Sequence, residues 1–489
     1  MNTHPQAIEP SSSLNDPSAA RRSRIAMGKA IVSEDTEAIK ALLAWDANLA
    51  STPVDDHYDE TPVMLAAREG KARSLDALLA AGGEALVDSS APRYDETTPL
   101  MAAASRGHAE CVRLLLPHSD ANAVDLNQET ALMHAVSSGP RKPDANYAQC
   151  VDLLLPVSDA NLTDWAGNNA LAFAAARGSA GCVEQLLAVD GGALARTSNS
   201  TGWTPLMHAA CNERVGAGLA LPHSDLDATI VKLLLPHSDL DATIAKHDAR
   251  GGNSALMLAA RSQRPDLVEA LLAVGADASI ADEEGWTALH LAAGAWPLAV
   301  QENAECVKLL LADSDTAAAT KGSDPFSQGV HTEGGETPLE IAAISGNHEA
   351  VRLLLPVSDA RHTAACGRTA LMMAAELGLT DIVKTLLPFS DPLMIDARGE
   401  SAFAIAAGIG HFECADALSR HSNALEVAKV FKKVGSEKLP GWAKHLAAQE
   451  RKEIAAVVAQ AEAAQARSAV ATATPKAPTN KPSGRSMRL

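Results

Sequence analysis

The chain has 489 residues, more than one ordinary globular core accommodates, so several domains or an extended array of repeats are expected. Hydrophobic residues make up 47% of the chain but aromatic residues only 3%, a balance that favours many thin, closely packed helices. The formal net charge of −19 argues against nucleic acid as the main partner, because binding phosphates needs a basic face.

The N-terminal segment, residues 1–24, is polar and has no hydrophobic stretch of the kind that a secretory signal needs. We predict that this segment is disordered and that the protein is cytoplasmic. No apolar run further along approaches the roughly 18 residues of a membrane helix, so no integral membrane span is expected.

A seven-residue phrase recurs ten times between residues 61 and 407. Its copies are TPVMLAA (61–67), TPLMAAA (98–104), TALMHAV (130–136), NALAFAA (169–175), TPLMHAA (204–210), SALMLAA (254–260), TALHLAA (287–293), TPLEIAA (337–343), TALMMAA (369–375) and SAFAIAA (401–407). A second phrase follows each copy, as in ECVRLLL (110–116), QCVDLLL (149–155), ECVKLLL (305–311) and EAVRLLL (349–355). A paired signature repeated this often indicates a repeat architecture.

The two phrases have a direct physical interpretation as a pair of helices. Thr or Ser at the start of the first phrase caps a helix by accepting backbone N–H bonds, and Pro or Ala suits the first turn. The second phrase has the V-x-LL spacing of a buried helical stripe. Each unit is therefore a helix–turn–helix of about 32 residues that buries its apolar face only by stacking on its neighbours.

These residues closely resemble the ankyrin repeat, whose hallmark is Thr-Pro-Leu-His-x-Ala in a period of about 33 residues. The copy GADASIADEEGWTALHLAA (275–293) is nearly the family consensus, and the resemblance covers residues 25–425. It implies an all-α solenoid of about eleven helix–turn–helix units with short β-hairpin fingers. It also implies a protein-binding surface, no catalytic activity and no cofactor.

Most units depart from the family at the end of the second helix. They read LLLPHSD or LLLPVSD in place of the usual helix-ending Gly, and such units span 32 residues, as from Thr98 to Thr130. Pro discourages helix in the residue before it, and the Ser-Asp pair suits a turn. We therefore predict a Pro-based helix stop, which leaves the conformation of the finger open.

The word LPHSDLDATI occurs twice, at 221–230 and 235–244. The segment DATIVKLLL (227–235) aligns with HAECVRLLL (108–116), so the first copy leads into a second helix and the second copy leaves it. Identical words should thus adopt different structures. Insertions are further expected at 140–146, 211–226 and 316–335, either as neutral drift or as binding elements.

Seven cysteines and eleven methionines raise the possibility of a metal site. Five of the cysteines share one position of the second helix, where neighbours about 8–10 Å apart cannot form disulfides. We interpret the cysteines and methionines as small or flexible core residues and predict no metal site from them.

In the ankyrin family, the residue before the Thr cap, at the finger base, faces the concave groove and varies with the partner. We predict partner contact at the residues in this position, which are Glu129, Trp203, Asn253, Trp286, Glu336, Arg368 and Glu400. Packing against neighbouring fingers is the alternative for the two tryptophans. Because Asp and Glu outnumber Lys and Arg by 60 to 41, a basic protein is the expected partner.

The C-terminal region differs in composition from the repeats. Residues 426–470 are predicted to form a capping helix and an Ala-rich helix, and residues 471–489 a disordered basic tail. The function that we predict is a non-enzymatic, monomeric scaffold that binds a protein partner. The alternatives are a regulatory module docking a catalytic partner, a host-directed effector secreted without a conventional signal peptide, and a self-associating rod.

Overall fold

The computed structural model describes residues 17–54, 60–82, 96–137, 146–211, 225–243, 251–294, 304–321 and 334–422. The chain divides into two compact units, Met1–Thr332 and Glu333–Leu489, here called the N-terminal and C-terminal units. The insertions predicted at 140–146, 211–226 and 316–335 fall largely outside the described residues, as do the segments predicted at 426–470 and 471–489.

The described part of the N-terminal unit contains sixteen α-helices. They are α1 Pro17–Val32, α2 Thr36–Trp45, α3 Pro62–Glu69, α4 Ala72–Ala80, α5 Pro99–Ser105, α6 Ala109–Leu115, α7 Ala131–Ser137, α8 Tyr147–Leu154, α9 Ala170–Arg177, α10 Ala180–Asp190, α11 Pro205–Ala210, α12 Asp225–Leu234, α13 Ala255–Arg261, α14 Pro265–Ala273, α15 Ala288–Ala293 and α16 Glu305–Leu310.

The described part of the C-terminal unit contains six more α-helices. They are α17 Pro338–Ser345, α18 His348–Leu354, α19 Ala370–Glu376, α20 Thr380–Leu386, α21 Ala402–Ile409 and α22 Phe412–Ser419.

The helices of each unit form two layers. Odd-numbered helices pack on the odd-numbered helices before and after them, even-numbered helices pack on even-numbered ones, and each odd helix packs on the even helix that follows it. We call these the inner and outer layers. The architecture confirms the predicted all-α repeat solenoid.

The inner helices begin as the sequence predicts. The Thr61 side chain accepts the Met64 N–H, with Pro62 at the first helical position. Ser254 and Asn169 cap their helices in the same way, by accepting the N–H of the third residue after them. The paired alanines of the phrase are wholly buried in most repeats, which allows neighbouring inner helices to approach closely.

The outer helices end before their proline. Helix α6 ends at Leu115, a short 3-10 turn follows over Leu116–His118, and the Asp120 carboxylate then accepts the Asn122 N–H at 2.9 Å. The same Asp-based turn forms at Asp159 and Asp359. The Pro-based stop therefore leads into a turn that an Asp side chain holds.

The first helix starts earlier than the sequence indicates. Helix α1 begins at Pro17, inside the segment 1–24 predicted to be disordered, and Met27 and Ile31 are wholly buried against the following helices. Its N-terminal half is polar, and Ala20, Arg21 and Arg22 are exposed, so composition alone favoured disorder. Proline at the first helical position removes no hydrogen bond and fits this start.

The two copies of the repeated word adopt different structures, as predicted. Residues 225–230 of the first copy lie in α12, where Ile230 is wholly buried and the helix packs between α10 and α14 in the outer layer. In the second copy, Leu235–His237 forms a 3-10 turn and Thr243 pairs with Ser254 in a β-bridge. The conformation is therefore decided by the position within the repeat and not by the local sequence.

The predicted β-hairpin fingers remain a prediction. In the parts of the chain that the structure describes, no β-strand is present, and the fingers carry isolated antiparallel bridges instead. These bridges join Val124 to Thr130, Thr243 to Ser254 and Ala281 to Thr287.

Candidate partner-binding site

Each finger is named here by the repeat whose inner helix follows it, so that finger 4 is residues 120–129, finger 5 is 159–168 and finger 11 is 391–400. Finger 4 is closed by one carboxylate. The Asp125 Oδ1 atom accepts the N–H groups of Asn127 and Glu129, both at 2.8 Å. The finger-base residue is thus held by a side chain four positions before it.

The same arrangement recurs in several other fingers. The N–H of the finger-base residue donates to Asp164 at 2.7 Å, to Asn199 at 2.8 Å, to Asp282 at 2.7 Å and to Asp396 at 2.9 Å. Sequence analysis did not identify this carboxylate or amide, although its fixed spacing before the cap is a signal that could have found it. The side chain that closes the loop thus fixes the backbone of the predicted contact residues Trp203, Trp286 and Glu400.

Neighbouring fingers are joined by single backbone hydrogen bonds. In the N-terminal unit the Trp165 N–H donates to the Asn127 carbonyl at 3.1 Å, and the Ser200 N–H to the Ala166 carbonyl at 2.8 Å. In the C-terminal unit the Ala397 N–H donates to the Cys366 carbonyl at 3.2 Å. These hydrogen bonds therefore fix the position of each finger relative to the next.

The residue just before the finger base adopts a left-handed backbone. Gly167 has φ of 84° and lies against the next finger, so an added Cβ would fall 2.8 Å from the Ser200 backbone nitrogen. Finger 4 carries Gln128 there instead, with φ of 61°. A side chain in this region costs about 1–2 kcal/mol, which explains why glycine fills most of these positions.

Three of the predicted contact residues are buried. Trp286 is 2% exposed, Asn253 3% and Glu336 1%. The Trp286 indole packs against His290 with ring centroids 5.8 Å apart, which corresponds to the alternative of packing within the array. The stacking of the repeats covers these side chains, and they offer no surface to a partner in this structure.

Arg368 and Glu400 lie in the C-terminal unit. Arg368 forms ion pairs with Glu376 of its own repeat and, at 3.3 Å, with Asp396 of the next finger. These pairs hold finger 11, so the guanidinium is already engaged. Glu400 remains partly exposed beside Asp396.

Trp203 lies on a polar face that crosses repeats 5 and 6. Its ring stacks on His208 at 5.1 Å, and His208 Nε2 lies 3.3 Å from the Asn168 amide oxygen. Burial lowers the pKa of His208 from 6.5 to about 4, against a smaller opposing effect of Asp164, so the imidazole is neutral at pH 7. Trp203 itself stays partly exposed.

Glu129 belongs to a cluster with Asp125 and His134. His134 Nε2 lies 2.9 Å from Asp125 Oδ2, and Nδ1 lies 3.8 Å from Glu129 Oε2. Burial raises the pKa of Glu129, aided by nearby carboxylates. Burial also acts to raise the pKa of Asp125, but the His134 and backbone hydrogen bonds outweigh it and hold that pKa below its ordinary value.

An exposed apolar patch, missed by the sequence analysis, lies beside this cluster. Trp165 at the tip of finger 5 is 76% exposed, and its indole N–H donates to the Leu126 carbonyl of finger 4 at 2.5 Å. Leu126 is 51% exposed and Val124 37%. We call Val124, Leu126 and Trp165 the finger 4–5 patch.

A family model described as ankyrin repeats matches residues 63–143, 143–227, 218–320, 280–362, 297–396 and 339–428. These matches cover most of the chain, in agreement with the two-layer packing and the capped inner helices. The chain belongs to the ankyrin-repeat family. Ankyrin repeats are generally modules for protein–protein interaction.

Curated relatives match over parts of this ankyrin array. Human "Ankyrin repeat and SOCS box protein 16" is 37% identical over 108 residues, which is 22% of this chain and 20% of the relative. Mouse "Neurogenic locus notch homolog protein 1" is 36% identical over 94 residues, or 19% of this chain and 4% of the relative. The matched stretches thus span a fifth or less of these relatives.

The cysteines of the ankyrin array lie where the sequence predicts. The five cysteines that share one position of the repeat are buried in the outer helices, and none of the seven forms a disulfide; the five are Cys111, Cys150, Cys182, Cys306 and Cys414. Burial raises the pKa of Cys111 to about 12, aided by nearby Glu110. Among the helices of the described residues, none combines the length and the hydropathy needed to cross a membrane.

Proposed function

We propose that this ankyrin-repeat chain is a monomeric scaffold that binds a basic protein partner, and that the partner docks on the groove side of fingers 4 to 6 in the N-terminal unit. The observation that carries the proposal is the finger 4–5 patch. Trp165 is the most exposed large hydrophobic side chain among the described residues. The indole N–H of Trp165 already donates to the Leu126 carbonyl, so a partner can cover the exposed ring with apolar groups and leave no hydrogen-bond donor unpaired.

The patch has the features of an interface anchor. Interface energy concentrates in a few residues, among which tryptophan is enriched, because a rigid aromatic buries a large area at small entropic cost. Two hydrogen bonds from Trp165 to finger 4 hold this ring in place before a partner arrives. Preorganisation of this kind lowers the cost of binding.

Charge around the patch supports a basic partner. Asp120 and Asp159 are exposed on the same two fingers, Glu129 is partly exposed, and the whole chain carries −19. An apolar anchor on fingers that also carry exposed carboxylates suits a protein segment with an apolar side chain flanked by Lys or Arg. Trp203 extends this surface to finger 6.

Of the residues predicted from sequence, Glu129 and Trp203 belong to this surface and are proposed as partner contacts. Glu400, in finger 11 of the C-terminal unit, lies outside it and stays a prediction. Trp286, Asn253 and Glu336 are assigned to the packing of the array, and Arg368 to the ion pairs of finger 11. Trp165 and Leu126 replace Trp286 as the apolar anchors.

The test compares Trp165→Ala with Phe389→Ala, because Phe389 is an apolar loop residue of the C-terminal unit that is 56% exposed. Proteins captured by the full chain are identified by mass spectrometry, and the affinity of the purified partner is then measured for both variants. We expect Trp165→Ala to cost about 2 kcal/mol of binding free energy and Phe389→Ala to leave it unchanged. Equal affinity for Trp165→Ala and the unaltered chain, with the fold intact, contradicts the proposal.

A further inference from the structure

The cluster of Asp125, Glu129 and His134 offers three different metal-binding side chains from one repeat. One ligand atom can be taken from each so that all three lie within 4.8 Å of one another. No other group of three His, Cys, Asp or Glu side chains among the described residues meets this condition. We propose that this cluster, the finger 4 site, binds one Zn²⁺ ion.

The side-chain chemistry fits this ion. Zinc accepts imidazole nitrogen and carboxylate oxygen, and three protein ligands with a fourth position open to water form a common zinc coordination. The cluster supplies two carboxylates and one imidazole, which are ligands of this kind. The purely thiolate sites that also bind zinc are absent from this face, since the outer-helix cysteines lie in the other layer.

The distances are close to those that zinc requires. Ligand atoms of a tetrahedral zinc site, each about 2.0–2.1 Å from the ion, lie about 3.3 Å from one another. His134 Nε2 and Asp125 Oδ2 are 2.9 Å apart, whereas the 3.8 Å contact of Glu129 Oε2 is to the other ring nitrogen, Nδ1. Because one imidazole gives one zinc ion a single nitrogen, the limit that applies is that one ligand atom from each residue lies within 4.8 Å of the other two. No ligand pair therefore has to close by more than about 1.5 Å, which the flexible Glu129 side chain can supply.

The backbone prepares the site for a ligand. Asp125 uses only Oδ1 to hold finger 4, through the N–H groups of Asn127 and Glu129, which leaves Oδ2 directed at His134. The Asp125 side chain is 2% exposed, whereas those of His134 and Glu129 are 18% and 22% exposed. One ligand is thus fixed and buried, and two border the solvent from which an ion would arrive.

Other repeats show what the cluster needs. Finger 11 has Asp396 and Glu400 in the same two positions, but Ile405 stands where repeat 4 has His134. In repeat 6 the corresponding residue is His208, but it faces the Asn168 amide oxygen. Repeat 4 alone among these three combines the imidazole with both carboxylates.

Zinc binding is measured by calorimetry on the metal-free full chain, with Zn²⁺ as the only probe. The expected result is one ion per chain with micromolar or tighter affinity, and a cobalt-substituted protein whose near-ultraviolet spectrum has no thiolate charge-transfer band. We expect His134→Phe to weaken binding at least about tenfold. Phe173 fills the equivalent position of the next repeat, so this substitution suits the fold.

Two further variants keep the test decisive. Asp125→Asn should weaken Zn²⁺ binding as much as His134→Phe while the finger stays closed, because Asn199 closes finger 6 in the same way. His208→Ile removes the histidine at the same position of repeat 6, which contacts the Asn168 amide oxygen, and should leave binding unchanged. Absence of binding at micromolar Zn²⁺, binding that survives His134→Phe, or a thiolate band with cobalt would each overturn the proposal.

Discussion

Fingers 4 and 11 are closed in the same way, by an Asp side chain that accepts backbone N–H groups, but a different side chain contacts that Asp in each finger. Asp125 and Asp396 each accept two backbone N–H bonds, at 2.8 Å in finger 4 and 2.9 Å in finger 11. The Asp125 carboxylate contacts His134 of its own repeat, whereas the Asp396 carboxylate forms an ion pair with Arg368 of the preceding repeat. The loop is fixed, and the groups around it vary.

The difference teaches which part of the repeat is structural and which part is free to change. The Asp that closes the loop satisfies buried backbone donors, and losing it leaves them unpaired. Its second oxygen meets whatever side chain the sequence supplies. An arginine at this oxygen joins two repeats through a permanently charged ion pair, as Arg368 does with Asp396. A histidine at the same place is also a common metal ligand.

The largest expected effect concerns the glycine before the finger base. Gly167→Ala should destabilise the N-terminal unit by about 3 kcal/mol, because it combines left-handed strain with a clash against the backbone of finger 6. Gly399→Ala in finger 11 has similar strain, at φ of 76°, but no described atom within 4 Å, and should cost only about 1 kcal/mol. Urea unfolding measures both losses, with hydrogen exchange of α9 and α11 for Gly167→Ala and of α19 and α21 for Gly399→Ala. Equal losses would show that contact with the next finger does not matter.

The next effect concerns the carboxylate itself. Asp125→Ala should cost about 2 kcal/mol by leaving two backbone donors unsatisfied, whereas Asp125→Asn retains the Oδ1 acceptor and should cost less than about 1 kcal/mol. Asp396→Asn should cost more than Asp125→Asn, since the permanent charge of Arg368 then loses a carboxylate partner. Thermal unfolding ranks the three variants, and a greater loss for Asp125→Asn than for Asp396→Asn would invert the comparison.

The smallest effect is a pH dependence confined to the N-terminal unit. The pKa of His208 is about 4 in the folded chain against an ordinary 6.5, so the unfolded chain binds the proton more readily and stability falls as pH drops through this window. Lowering the pH from 7.5 to 5.5 should cost about 1 kcal/mol through this group. Repeat 11 has Ile405 at the position of His208, so His208→Ile suits the fold. This variant should lack the loss of unfolding free energy that His208 causes between pH 7.5 and 5.5, as measured by urea titrations at both pH values.

Much of the fold follows from the sequence alone. Caps such as Thr61 and Ser254, the buried alanine pairs and the Pro-based end of the outer helix are local features, and the repeated phrase shows them many times over. The assignment of residues 227–235 to the outer layer also needed only the repeat frame. Local chemistry and periodicity are sufficient for such features.

The surface was harder to predict, because exposure at the finger base depends on the neighbouring repeats. Trp203 and Trp286 occupy the same position, yet Trp286 is 2% exposed and Trp203 remains partly exposed. Trp165 lies at a finger tip with no apolar periodicity around it, so no pattern marked it as an anchor. The engagement of Arg368 likewise depends on Asp396, which is 28 residues further along the chain.

The doubled LPHSDLDATI word shows how an array of this kind can change its length. A stretch of chain has been copied in place, yet the helices on either side keep their neighbours, since each pair relies only on the pair before and after it. Genetic slippage at such a site can add material to a connection without rebuilding any core. New surface can therefore be acquired in small steps, each one compatible with a protein that still folds.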